Sequence, residues 1–242
     1  MFKKSLLIII SLFAGSAMAG TETWDFGTAD AALDSWGMGN SITMNVGGVE
    51  LVISGWSDTG GSSDNRFETG QLMKYGNGIG LINRDEGDND PNHSIDSRYS
   101  NDYDFLLLEF DTAVRLDEFG LSWRMDGDMS VASYNGDFAG FDSSSTWANL
   151  ISSGWETTGN YNNVGTSSYQ ATGASTYSKT WLISTFNAAF GTPDGGLDLG
   201  DDGFKLKGLV TTSPQLTQVS EPTVLLIFSL GLVMLFGRAR RR

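Results

Sequence analysis

Carboxylates are the side chains in this sequence with the greatest capacity for chemistry. The chain has 242 residues, with 29 Asp and Glu against 15 Lys and Arg, a single His and no Cys. The lack of Cys excludes disulfides, thiolate metal sites and thiol nucleophiles, and one His excludes most imidazole-based metal sites. Carboxylate and carbonyl oxygens are the ligands of calcium, about six to eight per ion. The composition therefore favours binding of a hard cation over redox or nucleophilic chemistry.

Two acidic loops supply candidate calcium ligands. The candidates are Asp85, Asp88, Asp90, Asp126 and Asp128. The first three lie in the acidic run 85–90, and the other two flank Gly127. The spacing in the run differs from that of an EF-hand, where acids alternate before a Gly and a later Glu. A solvated loop is the alternative for the run, and a plain turn is the alternative for the pair around Gly127.

A third stretch, residues 195–203, combines Gly and Asp in a way similar to the calcium-binding nonapeptide repeat. Its fourth position is Asp instead of Gly, and the sequence contains no array of such repeats, so that identity is rejected. A single calcium site in this loop stays open. We therefore expect no cofactor, and calcium is the one exception that the sequence leaves open.

Catalysis has little support from the sequence. His93 lies in a polar loop, and no Gly-x-Ser-x-Gly segment marks a nucleophile for it to activate. The paired carboxylates of a glycoside hydrolase are defined by a separation of about 5 to 10 Å in the folded protein, which acid counts do not reveal. We expect no enzymatic activity, and a polysaccharide hydrolase is the second alternative.

Aromatic side chains offer another binding chemistry, because their rings can stack on the faces of sugars. Trp56, Trp147 and Trp155 lie among Ser, Gly and Asn and are the candidates for an exposed platform, although large aromatics are more often buried. Trp123 and Trp181 lie in strand-like patterns and are expected in the core. Exposed tryptophans together with calcium would make a calcium-assisted carbohydrate-binding module, with extracellular polysaccharide as its partner. That module is the first alternative to a structural role.

The elements that would position these residues are short β-strands. Within residues 41–54, apolar and polar residues alternate on both sides of Gly47 and Gly48, which predicts a tight hairpin. The run 105–108 is apolar at every position, as in a buried strand. Many such strands separated by Gly, Asn, Asp and Ser predict an all-β fold, a single antiparallel β-sandwich of jelly-roll type over residues 20–210.

Residues 1–19 have the pattern of a secretory signal peptide. Lys3 and Lys4 precede a short apolar run, which a small-residue cleavage site follows. The cleavage site consists of Ala17, Ala19 and Gly20. The apolar run is much shorter than the roughly 20 residues that span a bilayer. We therefore expect export by the Sec machinery and cleavage before Gly20.

The C-terminus carries a second membrane-directed pattern, in which a polar linker over 211–218 precedes a terminal segment over 219–242. The motif residues of that segment are Val219, Ser220, Glu221 and Pro222, and its basic cluster consists of Arg238, Arg240, Arg241 and Arg242. The apolar run 224–236 would be roughly 20 Å long as a helix, against about 30 Å of hydrocarbon. The arginines favour retention of this end on the cytoplasmic side, with the body outside.

This tail resembles the PEP-CTERM sorting signal of Gram-negative bacteria, which exosortase enzymes recognise. The family pattern is Pro-Glu-Pro, a short transmembrane run and a terminal basic cluster, and here Ser220 replaces the first Pro. The resemblance implies a transient stay of the C-terminal helix in the inner membrane and cleavage by exosortase near Ser220. An ordinary membrane anchor is the alternative, because a bilayer can thin around a short helix.

A second resemblance rests on segments of the body within 104–116, 125–131, 154–165 and 179–206. Through these segments the body resembles exosortase-dependent surface proteins of Gammaproteobacteria, which implies a location without a known activity. Residues 20–219 hold nine Lys and Arg against 28 Asp and Glu, a formal charge of −19, which disfavours nucleic acid as a partner. We therefore expect an exported, exosortase-sorted protein of the cell surface or extracellular matrix, with a non-catalytic structural or binding role.

Overall fold

The chain folds mainly into antiparallel β-strands. The computed structural model describes residues 19–58, 66–84, 93–97 and 102–214. Its strands are β1 (Gly20–Asp25), β2 (Ser41–Val46), β3 (Val49–Asp58), β4 (Phe67–Thr69), β5 (Gln71–Tyr75), β6 (Gly78–Ile82), β7 (Ile95–Asp96), β8 (Asp104–Arg124), β9 (Met129–Tyr134), β10 (Trp155–Tyr161), β11 (Gln170–Ala171), β12 (Ser178–Thr185) and β13 (Gly203–Ser213). One short helix, α1 (Trp147–Leu150), and 3-10 turns at Ile151–Ser153 and Ala188–Phe190 complete the regular structure of these ranges. The all-β prediction is confirmed.

Several predicted features lie outside the described residues. They are the signal peptide up to residue 18, the acidic run 85–90 and the sorting segment 219–242. Among the helices that the structure does describe, none is long and apolar enough to cross a membrane.

Strand β8 organises the sheet because its two halves pair with different neighbours. The first half lies between β3 and β12, and the second half pairs with β13 and β11, all in antiparallel register. Strands β9 and β10 extend the first group beyond β12, whereas β1, β6 and β7 pair with β13 in the second. One strand of 21 residues thus connects two hydrogen-bonded groups of strands.

The main hydrophobic core takes side chains from both halves of β8. Leu106 from the first half and Phe119 from the second lie in the same buried cluster. Phe105 and Leu107 belong to a second, largely aromatic cluster, as expected when neighbouring residues of a strand point to opposite faces. Both faces of this half are therefore buried, which explains why the run 105–108 is apolar at every position.

The hairpin predicted around Gly47 and Gly48 is confirmed. Strands β2 and β3 pair with Val46 opposite Val49. Both glycines have positive φ, at 64° and 88°, the conformation that a two-residue hairpin turn of this type requires.

The domain closes where its first and last strands meet. Gly20 of β1 lies opposite Ser213 of β13, and the pairing continues to Asp25. The prediction that a linker begins at residue 211 is wrong, because β1 provides residues 211–213 with an antiparallel partner. The compact unit is Ala19–Pro214, so the folded body extends past the predicted boundary at residue 210.

Candidate functional site

Five aspartates from two distant segments converge near the start of β13. Asp126 and Asp128 lie in the connection from β8 to β9, and Asp198, Asp201 and Asp202 precede β13. Carboxylate oxygens of Asp126, Asp128 and Asp202 lie within 4.8 Å of one another, and so do those of Asp126, Asp198 and Asp201. Asp126 belongs to both groups, so we name the five residues together the aspartate cluster.

Backbone pairing brings the two segments together. Asp126 forms a bridge with Asp202, and the Met125 N–H donates a hydrogen bond of 2.8 Å to the carbonyl of Gly203. The Asp128 N–H donates to Oδ1 of Asp202 at 3.0 Å. Because these hydrogen bonds fix both segments, the carboxylates are held close together despite their like charges.

Asp128 ties several loops to the cluster. Only 1% of its surface is exposed. Its Oδ1 accepts a hydrogen bond from the Asn163 N–H at 2.7 Å, and its Oδ2 accepts one from the Asp198 N–H at 3.0 Å. Its backbone carbonyl accepts the Phe186 N–H at 2.8 Å. One buried carboxylate thus positions the loop before β13 against the connection from β8 to β9.

Asp202 is a buried carboxyl that lacks a full set of partners. Its side chain is fully buried, and its Oδ2 has no hydrogen-bond partner among the described residues. Burial, together with the negative charges of Asp128, Asp126 and Asp201, raises the pKa of Asp202 to about 8, while the hydrogen bond from Asp128 acts in the opposite direction. A buried polar atom without a partner costs about 1 to 3 kcal/mol. Oδ2 of Asp202 therefore needs a further hydrogen-bond donor or a cation as its partner.

The outer side of the cluster is also rich in negative charge. Asp198 is exposed, and its hydrogen bond with Asp201 and the charge of Asp201 raise the pKa of Asp198. Arg124 lies close to Gly127, but its guanidinium donates to the side-chain oxygen of Asn163. The ion pairs between described residues join Arg84 to Glu68 and Arg115 to Asp117. Neither these two ion pairs nor the hydrogen bond from Arg124 to Asn163 neutralises the cluster.

The sequence predicted part of this site. It identified Asp126 and Asp128, and the structure places both in the cluster. It did not name Asp198, Asp201 or Asp202 as ligands, although the Gly-Asp pattern of 195–203 was a signal for them. Asp85, Asp88 and Asp90 lie outside the described residues. Of the predicted cleavage residues, Ala17 also lies outside, while Ala19 is the first residue of the compact unit and Gly20 begins β1.

The prediction of exposed tryptophans at 147 and 155 is wrong. Trp147 is 8% exposed and Trp155 is 1% exposed, whereas Trp56 is partly buried. The Trp147 ring packs edge-on against Phe67 and Phe105, with centroid distances of 4.8 and 5.0 Å. Trp147 and Trp155 both belong to the buried cluster that contains Phe67 and Phe105, so their rings pack in the interior.

A small cavity of about 180 Å³ lies beside this aromatic cluster. Its lining includes Tyr134, Phe138, Phe141, Asp142, Asn149 and Trp155. The rings of Phe141 and Trp155 stack at 6.1 Å with an interplanar angle of 14°. Hydrogen bonds from the hydroxyl and N–H of Ser144 lower the pKa of Asp142, and they fix the loop on this side. The cavity therefore combines an aromatic wall with a polar rim.

The most exposed tryptophan is Trp36, at 74%, which is not one of the three candidates for an exposed platform.

Comparison with known proteins gave no match. No family model, no curated protein and no solved structure is significantly similar to the chain. Function therefore has to be inferred from the residues and their geometry.

Proposed function

We propose that this chain is an exported protein of the cell surface or extracellular matrix, sorted by an exosortase and without catalytic activity. The Sec machinery would export it, and the C-terminal apolar segment would stay briefly in the inner membrane before cleavage. Its body would be a β-sandwich of jelly-roll type, with the main core between the two strand groups that β8 connects. Its role would be structural or binding.

The pairing of β1 with β13 is the observation that carries this proposal. Gly20, the residue expected after signal cleavage, lies opposite Ser213, just before the tail. Glu22 strengthens the closure, because its carboxylate accepts hydrogen bonds from the hydroxyls of Ser213 at 2.7 Å and Thr211 at 3.3 Å. The first and last strands of the folded unit thus hold each other in place by hydrogen bonds. Removal of the leader and of the tail would leave this unit whole, as a cleaved and released protein requires.

The acidity of the body supports a role outside the cell. Residues 20–219 carry a formal charge of −19, and a high net charge of one sign keeps a protein soluble. The same charge opposes adhesion to anionic lipid or polysaccharide unless cations bridge the two surfaces. A structural role in a cation-rich medium agrees with this balance.

Mass spectrometry of both termini of the surface-fraction protein from the native host tests the proposal. We expect an N-terminus at Gly20 and a C-terminus within or close to the motif 219–222. Surface protein that retains Arg242 would contradict exosortase processing. Replacement of Glu221 and Pro222 by Ala should block processing, whereas replacement of Thr217 and Gln218 by Ala in the same tail should not.

Carbohydrate binding is the second candidate, and the cavity beside Trp155 is the observation that favours it. The aromatic wall offers a face for stacking, and the polar rim offers hydrogen bonds to hydroxyl groups. The rim carries Asp142, and its described lining has no Lys or Arg, so a neutral sugar fits better than an acidic one. A glycan array with wild-type protein and a Phe138→Ala variant tests this candidate. Signals that are absent, or unchanged in the variant, would contradict it.

A further inference from the structure

We propose that the aspartate cluster binds one calcium ion, held by Asp126, Asp128 and Asp202. The open side of the site would take further oxygens from Asp198 and Asp201 or from water. This inference goes beyond the sorting route and does not depend on it.

Asp202 provides the observation that distinguishes a binding site from a chance group of acids. Its Oδ2 is buried and lacks a hydrogen-bond partner among the described residues, and its side chain belongs to the close group with Asp126 and Asp128. Buried charges in proteins are usually paired or coordinate a metal ion. An ion in contact with this oxygen would supply the missing partner and neutralise the charges around it.

The remaining lone pairs are sufficient for coordination. The Asp128 N–H occupies one position on Oδ1 of Asp202, and the Gly127 N–H occupies one on Oδ1 of Asp126 at 2.6 Å. An ionised carboxylate offers about four acceptor positions on its two oxygens. Each of these aspartates therefore keeps free positions, and the backbone hydrogen bonds orient its oxygens in advance.

The chemistry of the donors selects calcium among common divalent ions. All five side chains are carboxylates, whereas zinc prefers His and Cys ligands. Magnesium demands near-octahedral geometry and keeps several of its waters, so it is usually held by one or two carboxylates. Calcium accepts about six to eight oxygens in a flexible arrangement. A crowded and partly buried group of aspartates fits calcium best.

The ion would join two parts of the chain that are far apart in sequence. Asp126 and Asp128 follow β8, and Asp202 directly precedes β13. Asp128 also holds the Asp198 N–H. Calcium would therefore fasten the loop before β13 to the connection from β8 to β9, and its removal should loosen that loop first.

Binding is tested directly with terbium, which replaces calcium in oxygen sites and emits when a nearby tryptophan is excited. Trp123 is the sensitiser, because its ring packs close to Gly203, the neighbour of Asp202. We expect emission from the purified full chain, displacement by calcium and one calcium per chain by titration calorimetry. Lack of emission and of calcium heat would overturn the proposal. Magnesium binding as tight as that of calcium would overturn the assignment to calcium.

Variants connect binding to these residues. Calcium at about 100 times its Kd should raise the Tm of EDTA-treated wild type by roughly 5 to 10 °C. Asp202→Asn should lose both this shift and the terbium signal, and Asp126→Asn should weaken both. Asp194→Asn is the matched control, since Asp194 is an exposed acid of the same loop outside the cluster, and it should behave as wild type.

Misfolding cannot account for the expected result with Asp202→Asn. An amide in this position keeps an acceptor for the Asp128 N–H and removes a buried acid. The calcium-free variant should therefore melt at or above the temperature of calcium-free wild type. A variant that melts in this way and still responds to calcium as wild type does would overturn the proposal.

Discussion

Replacement of Asp58 by Asn should change how the stability of the domain depends on pH. Asp58 ends β3 and is 3% exposed, and its Oδ1 accepts the Tyr103 N–H at 2.6 Å. Burial raises the pKa of Asp58 from 3.8 to about 6, although the hydrogen bonds with the Tyr103 N–H and with the neighbouring carboxyl of Asp102 lower it in part. The folded chain therefore holds a proton on Asp58 more tightly than the unfolded chain does.

The sign and size of the effect follow from this difference in pKa. The stabilising contribution of the protonated carboxyl is complete below pH 3.8 and is lost as the pH rises through about 6. A difference of about 2 in pKa corresponds to about 3 kcal/mol of unfolding free energy. Most of that loss, about 2 kcal/mol, falls between pH 4 and pH 7.5. Asparagine keeps an acceptor for the Tyr103 N–H but does not titrate, so the variant should not show this loss.

Urea unfolding of both proteins at pH 4 and pH 7.5 measures the effect. The unfolding free energy at pH 4 minus the unfolding free energy at pH 7.5 should be smaller in Asp58→Asn than in wild type by about 2 kcal/mol. Asp137→Asn, which removes an exposed acid, is the control and should match wild type. An identical pH dependence of Asp58→Asn and wild type would contradict this expectation, because it would mean that Asp58 is not the carboxyl that holds the proton.

Three further substitutions test the packing, each by urea unfolding. In Gly208→Ala the added methyl group would meet the carbonyl of Trp24 on β1, so we expect a loss of about 1 to 3 kcal/mol, and a neutral result would mean that this closing strand is not tightly held. Phe105→Ala should cost about 3 to 5 kcal/mol, because Phe105 is fully buried among other rings, and a cost below 1 kcal/mol would contradict its core position. Trp36→Ala should change stability by less than about 0.5 kcal/mol, because Trp36 is 74% exposed, and a larger loss would show that it packs against something.

Local sequence patterns were sufficient to predict the β2–β3 hairpin and the buried strand at 105–108. The alternation around Gly47 and Gly48 specifies a hairpin whose strands are adjacent in the chain, so no distant contact is needed to predict it. The apolar run 105–108 indicated a buried strand for the same reason. The continuity of β8 could not be predicted, because its second half pairs with residues of β13 that lie 80 to 97 positions further along the chain.

The candidate site was likewise predicted only where its residues are neighbours in the sequence. Asp126 and Asp128 stand on either side of Gly127, and residue type and spacing alone made them candidate ligands, with a plain turn as the alternative. Their meeting with Asp202 depends on the register of β8 against β13, which a single sequence does not encode in any local pattern. The burial of Trp147 likewise depends on a loop that folds over β8, whereas its polar sequence neighbours favoured exposure.

Export and exosortase processing of a domain closed by β1 and β13 determine the intact mass of the surface-fraction protein from the native host. We expect one chain that begins at Gly20 and ends near Ser220, without the apolar segment and the four arginines. A surface protein whose mass includes residues 223–242 would contradict it.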